Sequence, residues 1–259
     1  MTDSLLPYLN ILWPAFLAGL LVLSTHVPLG HEVLRRGIIF LDLAIAQVAA
    51  FGLVVAGSLG FEMHGGEDAI MAQAIAILAA VTGAMALYRL RGLSPVIQEA
   101  LIGALFVLAS TGSILLLSDS AHGGEQLKAL LVGQILWVKP VDLLPIGVIY
   151  ALILFCWFGL RKSLGEWMFY PLFAVAITLS TQLVGVYLVF ASLIIPALTA
   201  NGLRRPLRAA YALGAMAYLL GLLLSVIFDV PSGAMVVWCM ALAGGSLFLL
   251  RWLNKRGNV

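Results

Sequence analysis

The sequence predicts an all-α, polytopic membrane protein with about eight or nine transmembrane helices and one short interfacial or re-entrant helix. Of its 259 residues, 63% are hydrophobic and only 10% are charged, and the mean hydropathy is +1.09. Because so few polar residues cannot cover a surface in water, the main solvent must be lipid. Several apolar stretches reach the roughly 18 residues that a helix needs to cross about 30 Å of hydrocarbon. We expect residues 1–259 to form a single transmembrane domain.

Seven spans follow from the apolar windows of about 20 residues. They are predicted at residues 9–29, 37–59, 69–87, 100–117, 143–160, 209–228 and 234–253. The apolar stretch 168–199 is too long for one comfortable span, so we expect two short helices that meet near Val184 and Gly185. Residues 126–138 are too few to cross, and they are predicted to form the interfacial or re-entrant helix.

The basic residues predict the orientation. If the N-terminus is periplasmic and the C-terminus cytoplasmic, every lysine and arginine except Lys128 and Lys139 falls on the cytoplasmic side. Basic residues are retained in cytoplasmic loops, so this orientation is expected in a bacterial inner membrane.

Motif searches argue against an enzyme. The sequence has no G-x-x-x-x-G-K-[ST] phosphate-binding loop, so the chain cannot bind ATP in the P-loop manner. It also lacks the H-E-x-x-H and G-x-S-x-G signatures, and we expect no catalytic residue and no nucleic-acid partner. Cys156 and Cys239 both fall in apolar stretches, where a packing role is expected.

Ionisable side chains inside membrane helices are costly and indicate function. Asp42 lies near the start of the second predicted span, where it either faces the path of a cation or favours the helix dipole as a first-turn acid. Gln47 follows five residues later, about 500° of rotation away, so the two do not share a face. Glu99 opens the fourth predicted span, either as a path residue or as an ordinary first-turn acid.

Two histidines flank the segment Val27-Pro28-Leu29-Gly30, where we expect the first helix to break. Such breaks are tolerated where they are buried in protein or line a cavity. His26, His31 and the adjacent Glu32 could bind zinc, although their spacing matches no compact site. The alternative is a pair of satisfied or interfacial histidines.

The predicted outer loops carry the same four letters twice, His64-Gly65-Gly66-Glu67 and His122-Gly123-Gly124-Glu125. Imidazole and carboxylate groups there could weakly collect a borderline cation. Equally, the two segments could be polar turns, because flexible glycines make a tight site entropically costly.

Several segments together resemble the integral-membrane permease of bacterial zinc and manganese ABC importers. The most specific one, VGVYLVFASLIIPALTA at residues 184–200, is similar to the family's VGxLLVxxLLIIPAATA. The other matching segments follow in the family's order: Pro28-Leu29-Gly30, Arg35-Arg36 with Asp42, Glu99 with Gly103, residues 131–138 followed by Asp142, and residues 228–233.

The resemblance implies a homodimer or heterodimer of permeases, cytoplasmic ATPase subunits, and a periplasmic metal-binding protein that docks on the outer loops. It implies a divalent metal ion as the substrate, zinc first and manganese or iron next, with no permanently bound cofactor. Candidates for the ATPase contact are Arg161, Lys162, Gly165, Glu166, Arg204 and Arg205.

Two positions depart from the family. Its members place a histidine one helical turn after the second-span aspartate, where this chain has Ala46. Their loop after the fifth span carries an amphipathic segment that contacts the ATPase, whereas here only residues 161–166 separate the spans. Either these residues suffice, or the loop at 89–95 or 202–208 makes the contact. The alternative function is a related transporter or scaffold without the usual ATPase, or with another cargo.

Overall fold

The computed structural model describes residues 6–61, 66–118, 120, 123–160, 163 and 165–256. The all-α prediction is confirmed, because the described residues form helices and turns and contain no strand. The α-helices are α1 (Leu6–Arg36), α2 (Leu41–Ser58), α3 (Gly66–Arg89), α4 (Pro95–Leu117), α5 (Gly123–Val132), α6 (Pro140–Phe155), α7 (Phe169–Val184), α8 (Val186–Ala200), α9 (Pro206–Phe228) and α10 (Ser232–Arg256). Short 3₁₀ turns at Ile135–Trp137 and Glu166–Met168 precede α6 and α7, and a π-helical turn, Cys156–Leu160, extends α6.

Eight helical segments of the described residues are long and apolar enough to cross a membrane. They are Asn10–Arg36, Leu41–Ser58, Glu67–Arg89, Pro95–Leu117, Pro140–Leu160, Glu166–Val184, Pro206–Phe228 and Ser232–Leu253. The apolar helix α8 is shorter, and it follows α7 after the single residue Gly185. The predicted pair of helices that meet near Val184 and Gly185 is therefore confirmed.

The predicted short helix before the fifth span is also present. Residues 126–138 contain most of α5 and the 3₁₀ turn that follows it. Between these two elements Gly133 adopts a φ of +72°, in the left-handed region that glycine enters without a steric penalty. The chain thus turns sharply at the end of α5 before it enters α6.

The structure corrects the expected break in the first helix, because α1 runs uninterrupted through Pro28 to Arg36. Proline has no N–H, so Pro28 cannot bond the carbonyl of Ser24 one turn earlier. The Tyr211 hydroxyl of α9 donates to that carbonyl at 2.9 Å. The acceptor that Pro28 leaves open is therefore satisfied from another helix, and the backbone continues as a helix.

Close packing divides the chain into two compact units. The first comprises the described residues of Met1–Arg35, Val132–Tyr150 and Leu183–Val259, and the second those of Arg36–Leu131 and Ala151–Gln182. In the second unit α2 packs against α3 and α4, where a Cβ on Gly52 would meet the backbone of Ala76. Small residues at such contacts let membrane helices approach closely, which favours dispersion contacts between them.

Three glycines bring backbone against backbone in the first unit. A Cβ on Gly133 would collide with the backbone of Val184 and Gly185, and a Cβ on Gly185 would collide with Gly133. A Cβ on Gly233, at the start of α10, would come within 2.9 Å of the Val132 carbonyl oxygen. The end of α5, the α7–α8 junction and the start of α10 are therefore fixed to each other at a contact that leaves no room for side chains.

We expect Tyr211→Phe to lower the melting temperature by a few degrees, because an orphaned buried carbonyl costs about 1–3 kcal/mol. The double variant with Pro28→Ala is the internal control. Alanine in place of Pro28 supplies an N–H to the Ser24 carbonyl, so Tyr211→Phe should have little effect in that background. Thermal unfolding of all four proteins in one detergent measures the coupling, and equal losses in both backgrounds would contradict this account of α1.

We expect Gly133→Ala to abolish most of the correctly folded protein. The substitution adds the roughly 1–2 kcal/mol cost of a left-handed conformation to a collision with backbone atoms that cannot move aside. Gly245→Ala is the matched control, because a Cβ at Gly245 meets nothing within 4 Å. The monodisperse fraction in size-exclusion chromatography reports the outcome. A Gly133→Ala protein as monodisperse and stable as Gly245→Ala would show that the junction tolerates a side chain.

Candidate functional site

Asp42 is the most unusual polar residue of the second unit. It lies in the first turn of α2 and is only 1% exposed. Neither carboxylate oxygen has a hydrogen-bond partner, although the backbone N–H groups of Asp42 and Leu43 face it at the helix start. A buried carboxylate without hydrogen bonds is costly. An exposed acid in the first turn would interact with the helix dipole just as favourably. The dipole therefore does not explain why Asp42 is completely buried.

Gln47 is also buried, but its side chain is already engaged. Its Oε1 accepts a hydrogen bond from the Ser110 hydroxyl of α4 at 3.0 Å. Ser110 was not a predicted site residue, because nothing in its local sequence distinguishes it from other helix serines. The Gln47 carbonyl oxygen is therefore held in place against α4. Ala46, where the family has a histidine, is buried and contributes no polar atom.

Glu99 differs from the first-turn acid that the sequence suggested. α4 begins at Pro95, so Glu99 lies beyond the first turn of its own helix. Its Oε1 accepts the backbone N–H of Ile39 at 2.9 Å, in the turn that leads into α2, while Oε2 is buried without a partner. Glu99 thus connects α4 to the turn three residues before Asp42. The first-turn interpretation is wrong because the helix starts earlier than the apolar pattern indicated.

His26 and His31 lie on α1 in the first unit. His26 is fully buried, and its Nδ1 lies 2.9 Å from the Val22 carbonyl oxygen. His31 Nδ1 lies 2.9 Å from the Val27 carbonyl oxygen. Because a carbonyl can only accept, Nδ1 is assigned as the donor in both bonds, and neither buried Nε2 atom has a hydrogen-bond partner. The adjacent Glu32 forms an ion pair with Arg35.

Of the predicted outer-loop pairs, His64 with Glu67 and His122 with Glu125, the structure describes only the two glutamates. His64 and His122 lie outside the described residues. Glu67 and Glu125 are exposed and lie in the first turns of α3 and α5, where acids favour the helix dipole. Across the described part of the chain, no group of three or more His, Cys, Asp or Glu side chains converges as a metal cluster would.

A cluster of arginine and aromatic side chains surrounds the loop after the fifth span. Arg91 places its guanidinium 4.4 Å from the Tyr88 ring centroid and 3.9 Å from Glu166 Oε2. Arg36 stacks over Phe169 at 4.6 Å. The exposed Glu166 is thereby connected to the turn between α3 and α4. Of the other predicted ATPase-contact residues of this loop, Gly165 is exposed, whereas Arg161 and Lys162 lie outside the described residues.

Arg204 and Arg205, the remaining predicted ATPase-contact residues, lie in the turn between α8 and α9. Both are exposed, and with Arg208 they line an open cavity of about 780 Å³.

Comparison with known proteins identifies the family. The sequence matches the ABC 3 transport family over residues 8–174 and 158–251. The chain belongs to this family. The resemblance predicted from the motifs is thus confirmed, and the chain is a multi-pass permease of the ABC 3 transport family. The two matched segments overlap at residues 158–174.

Two relatives extend over nearly the whole chain. The manganese transport system membrane protein MntC of Halalkalibacterium halodurans is 28% identical over 271 residues, covering 96% of this chain and 88% of the relative. An uncharacterized membrane protein from the ycf23-apcF intergenic region of Cyanophora paradoxa is 26% identical over 282 residues, covering 99% of this chain and 91% of the relative.

Solved structures share the fold. PsaBC from Streptococcus pneumoniae, determined in complex with a Fab, superposes with a TM-score of 0.73 at 23% identity, covering 96% of this chain and 95% of the other. A metal-chelate type ABC transporter in an inward-facing conformation gives a TM-score of 0.62 at 20% identity, covering 91% and 83%. The helical arrangement of this chain is therefore one that ABC transporters adopt.

Proposed function

We propose that this chain is the permease subunit of an importer that moves a divalent metal ion across the bacterial inner membrane. The observation that carries the proposal is Asp42, a fully buried carboxylate without a hydrogen-bond partner in a membrane helix of an ABC 3 permease. A passing cation would neutralise this carboxylate and remove the cost of burying it. The N-terminus is proposed to be periplasmic and the C-terminus cytoplasmic, as the basic residues predict.

Manganese is the cargo that the donor atoms of α2 favour. Asp42 and Gln47 offer oxygen atoms only, and Ala46 removes the imidazole that the family places one turn after the aspartate. Carboxylate and carbonyl oxygens suit manganese, whereas zinc prefers nitrogen and sulfur ligands. The MntC relative, whose name includes manganese transport, supports the same choice. The motif resemblance alone had placed zinc first.

Transport requires contacts that the ion can leave. A single carboxylate gives a binding site favourable enough for entry and weak enough for release. In this mechanism Asp42 is the charged ligand and Glu99 fixes the turn before α2. Gln47, which Ser110 holds, would contact the ion at a separate step, because it does not share a helix face with Asp42. His26 and His31 present free Nε2 atoms in the first unit and are further candidate ligands. The ion is the substrate, and no resident cofactor is proposed.

The motor and the capture protein are proposed to be separate chains. The sequence has no P-loop, so ATP must bind to cytoplasmic ATPase subunits. An extracytoplasmic metal-binding protein would deliver the ion to the outer loops, near Glu67 and Glu125 and the flanking His64 and His122. Two permeases, identical or related, would enclose the path. A family-related transporter or scaffold that works without an ATPase remains the competing function.

The contact with the ATPase is proposed to be a composite surface rather than one long loop. Glu166 belongs to the shortened loop, and Arg91, which faces it, belongs to the α3–α4 turn. Leu90 and Leu93 of that turn are exposed large apolar residues beside the ion pair. Together these groups offer the charged and apolar area that the missing amphipathic segment would provide. Gly165 gives the loop its sharp turn, with a φ of +80°.

We expect Asp42→Asn to reduce uptake of radiolabelled manganese at least tenfold in proteoliposomes that contain the permease, its ATPase and its binding protein. The amide keeps the shape of the side chain and removes the charge that attracts the ion. Asp142→Asn is the matched control, because Asp142 is an exposed first-turn acid of α6. Unchanged uptake in Asp42→Asn would contradict the role of Asp42. Competition by unlabelled zinc at lower concentrations than manganese would contradict the choice of cargo.

We expect Arg91→Glu to lower ATP hydrolysis stimulated by the loaded binding protein several-fold, without a change in melting temperature. An exposed ion pair contributes only about 0–1 kcal/mol to stability, so a loss of rate would report coupling rather than folding. Arg89→Glu is the matched control on the same turn, and the swapped double variant Arg91→Glu/Glu166→Arg should recover most of the rate. Equal loss in the two single variants, with no recovery in the swap, would argue against this surface.

A further inference from the structure

The turn between α8 and α9 concentrates positive charge that no described residue neutralises. Arg204, Arg205 and Arg208 are exposed, and they line the cavity of about 780 Å³ together with Leu203 and Ala209. None of the three guanidinium groups forms an ion pair or a hydrogen bond with another residue that the structure describes. Three cations that share one cavity repel each other, so an anion that enters it is favoured.

A fourth arginine, Arg251, forms hydrogen bonds at the start of this turn. Arg251 of α10 donates to the Thr199 carbonyl at 3.0 Å and to the Asn201 carbonyl at 3.1 Å. These carbonyls lie at the end of α8, where a cation is favoured by the helix dipole. The start of the turn that carries the three exposed arginines is therefore attached to α10.

None of the described acidic residues of this unit supplies the counter-charge. Its described acidic residues are Glu32, Asp142 and Asp229. Glu32 pairs with Arg35, and Asp142 begins α6. Asp229 follows the last residue of α9, at the far end of a 23-residue helix from the arginines, about 33 Å away. The start of α9 adds its own partial positive charge to the cavity, which increases the attraction for an anion.

The surroundings of the cavity favour an amphiphilic anion. Leu203 and Leu207 are each 37% exposed, and Leu207 lines a second, adjoining cavity with Arg205, Pro206 and Arg208. The site lies where the candidate span Pro206–Phe228 begins. The orientation proposed above puts this end of the span at the cytoplasmic surface of the membrane, and the inference rests on that orientation. Guanidinium groups bind phosphate oxygens in pairs of parallel hydrogen bonds. A free phosphate ion would gain nothing from the leucines, whereas a lipid would lay its acyl chain along them.

We propose that Arg204, Arg205 and Arg208 bind the phosphate of an anionic phospholipid, such as phosphatidylglycerol, from the cytoplasmic leaflet. Basic pockets at the cytoplasmic ends of membrane helices are known to bind such headgroups. This site is independent of the metal path and would hold even if the cargo proved to be different. Under this proposal Arg204 and Arg205, which the sequence predicted to contact the ATPase, bind a lipid instead.

Native mass spectrometry of the chain, purified with any subunits that accompany it, tests the proposal by titration with phosphatidylglycerol and with phosphatidylcholine of the same acyl chains. We expect the triple variant Arg204→Gln/Arg205→Gln/Arg208→Gln to bind phosphatidylglycerol on the order of 100-fold more weakly than the wild type, because each basic residue near a membrane surface contributes roughly a factor of five. Phosphatidylcholine binding should not change. The triple variant Arg89→Gln/Lys128→Gln/Lys139→Gln removes the same charge elsewhere and should keep the affinity.

A lysine variant and a competition experiment with inorganic phosphate complete the test. The triple lysine variant at the same three positions retains the charge, so it should fold and keep most of the phosphatidylglycerol affinity, which separates loss of a site from loss of structure. Full displacement of the lipid by millimolar inorganic phosphate would overturn the proposal in favour of a free-anion site. Unchanged lipid affinity in the triple glutamine variant, with loss of a co-purifying ATPase subunit, would overturn it in favour of ATPase docking.

Discussion

In a membrane, each backbone N–H and C=O group has to find its hydrogen bond inside the protein, because lipid offers none. The architecture of this chain depends on that constraint wherever a helix is interrupted or ends. Pro28 removes one bond from α1, and the Tyr211 hydroxyl replaces it. At the end of α8, Arg251 satisfies two carbonyls. At the α7–α8 junction, two glycines let the backbone segments approach so closely that no side chain fits between them.

Once the backbone is satisfied, the polar side chains that remain without a partner become informative. Most buried hydroxyl groups of the described helices donate to a carbonyl three or four residues earlier, as Thr178 and Thr181 do. Such bonds need no function to explain them. Asp42 has no such bond, because both of its carboxylate oxygens are buried without a partner, and a carboxylate is costly to bury in this way. The difference separates structural polar residues from a candidate ligand without reference to any related protein.

In the proposed importer, the metal ligands and the arginine–aromatic cluster have different physical requirements. Ligands near α2 must be few and weak for an ion to pass. Contacts with the proposed ATPase subunits must instead be stiff enough to transmit the movement of those subunits to the permease helices. The stacking of Arg36 and Arg91 on aromatic rings, together with the Glu166 ion pair, joins the shortened loop to the α3–α4 turn. The proposed contact with an ATPase would rely on this connection.

The sequence by itself determined the fold class, the positions of the spans and the family. Apolar length and the placement of basic residues depend only on local composition, and they were enough to place the junction at Val184 and Gly185. Tertiary structure alone decided the continuity of α1, the Gln47–Ser110 bond and the partner of Glu99. Each of these depends on a residue at least 60 positions away. Hydrophobic periodicity indicates which face of a helix is buried, but it does not encode which side chain of another helix will meet that face.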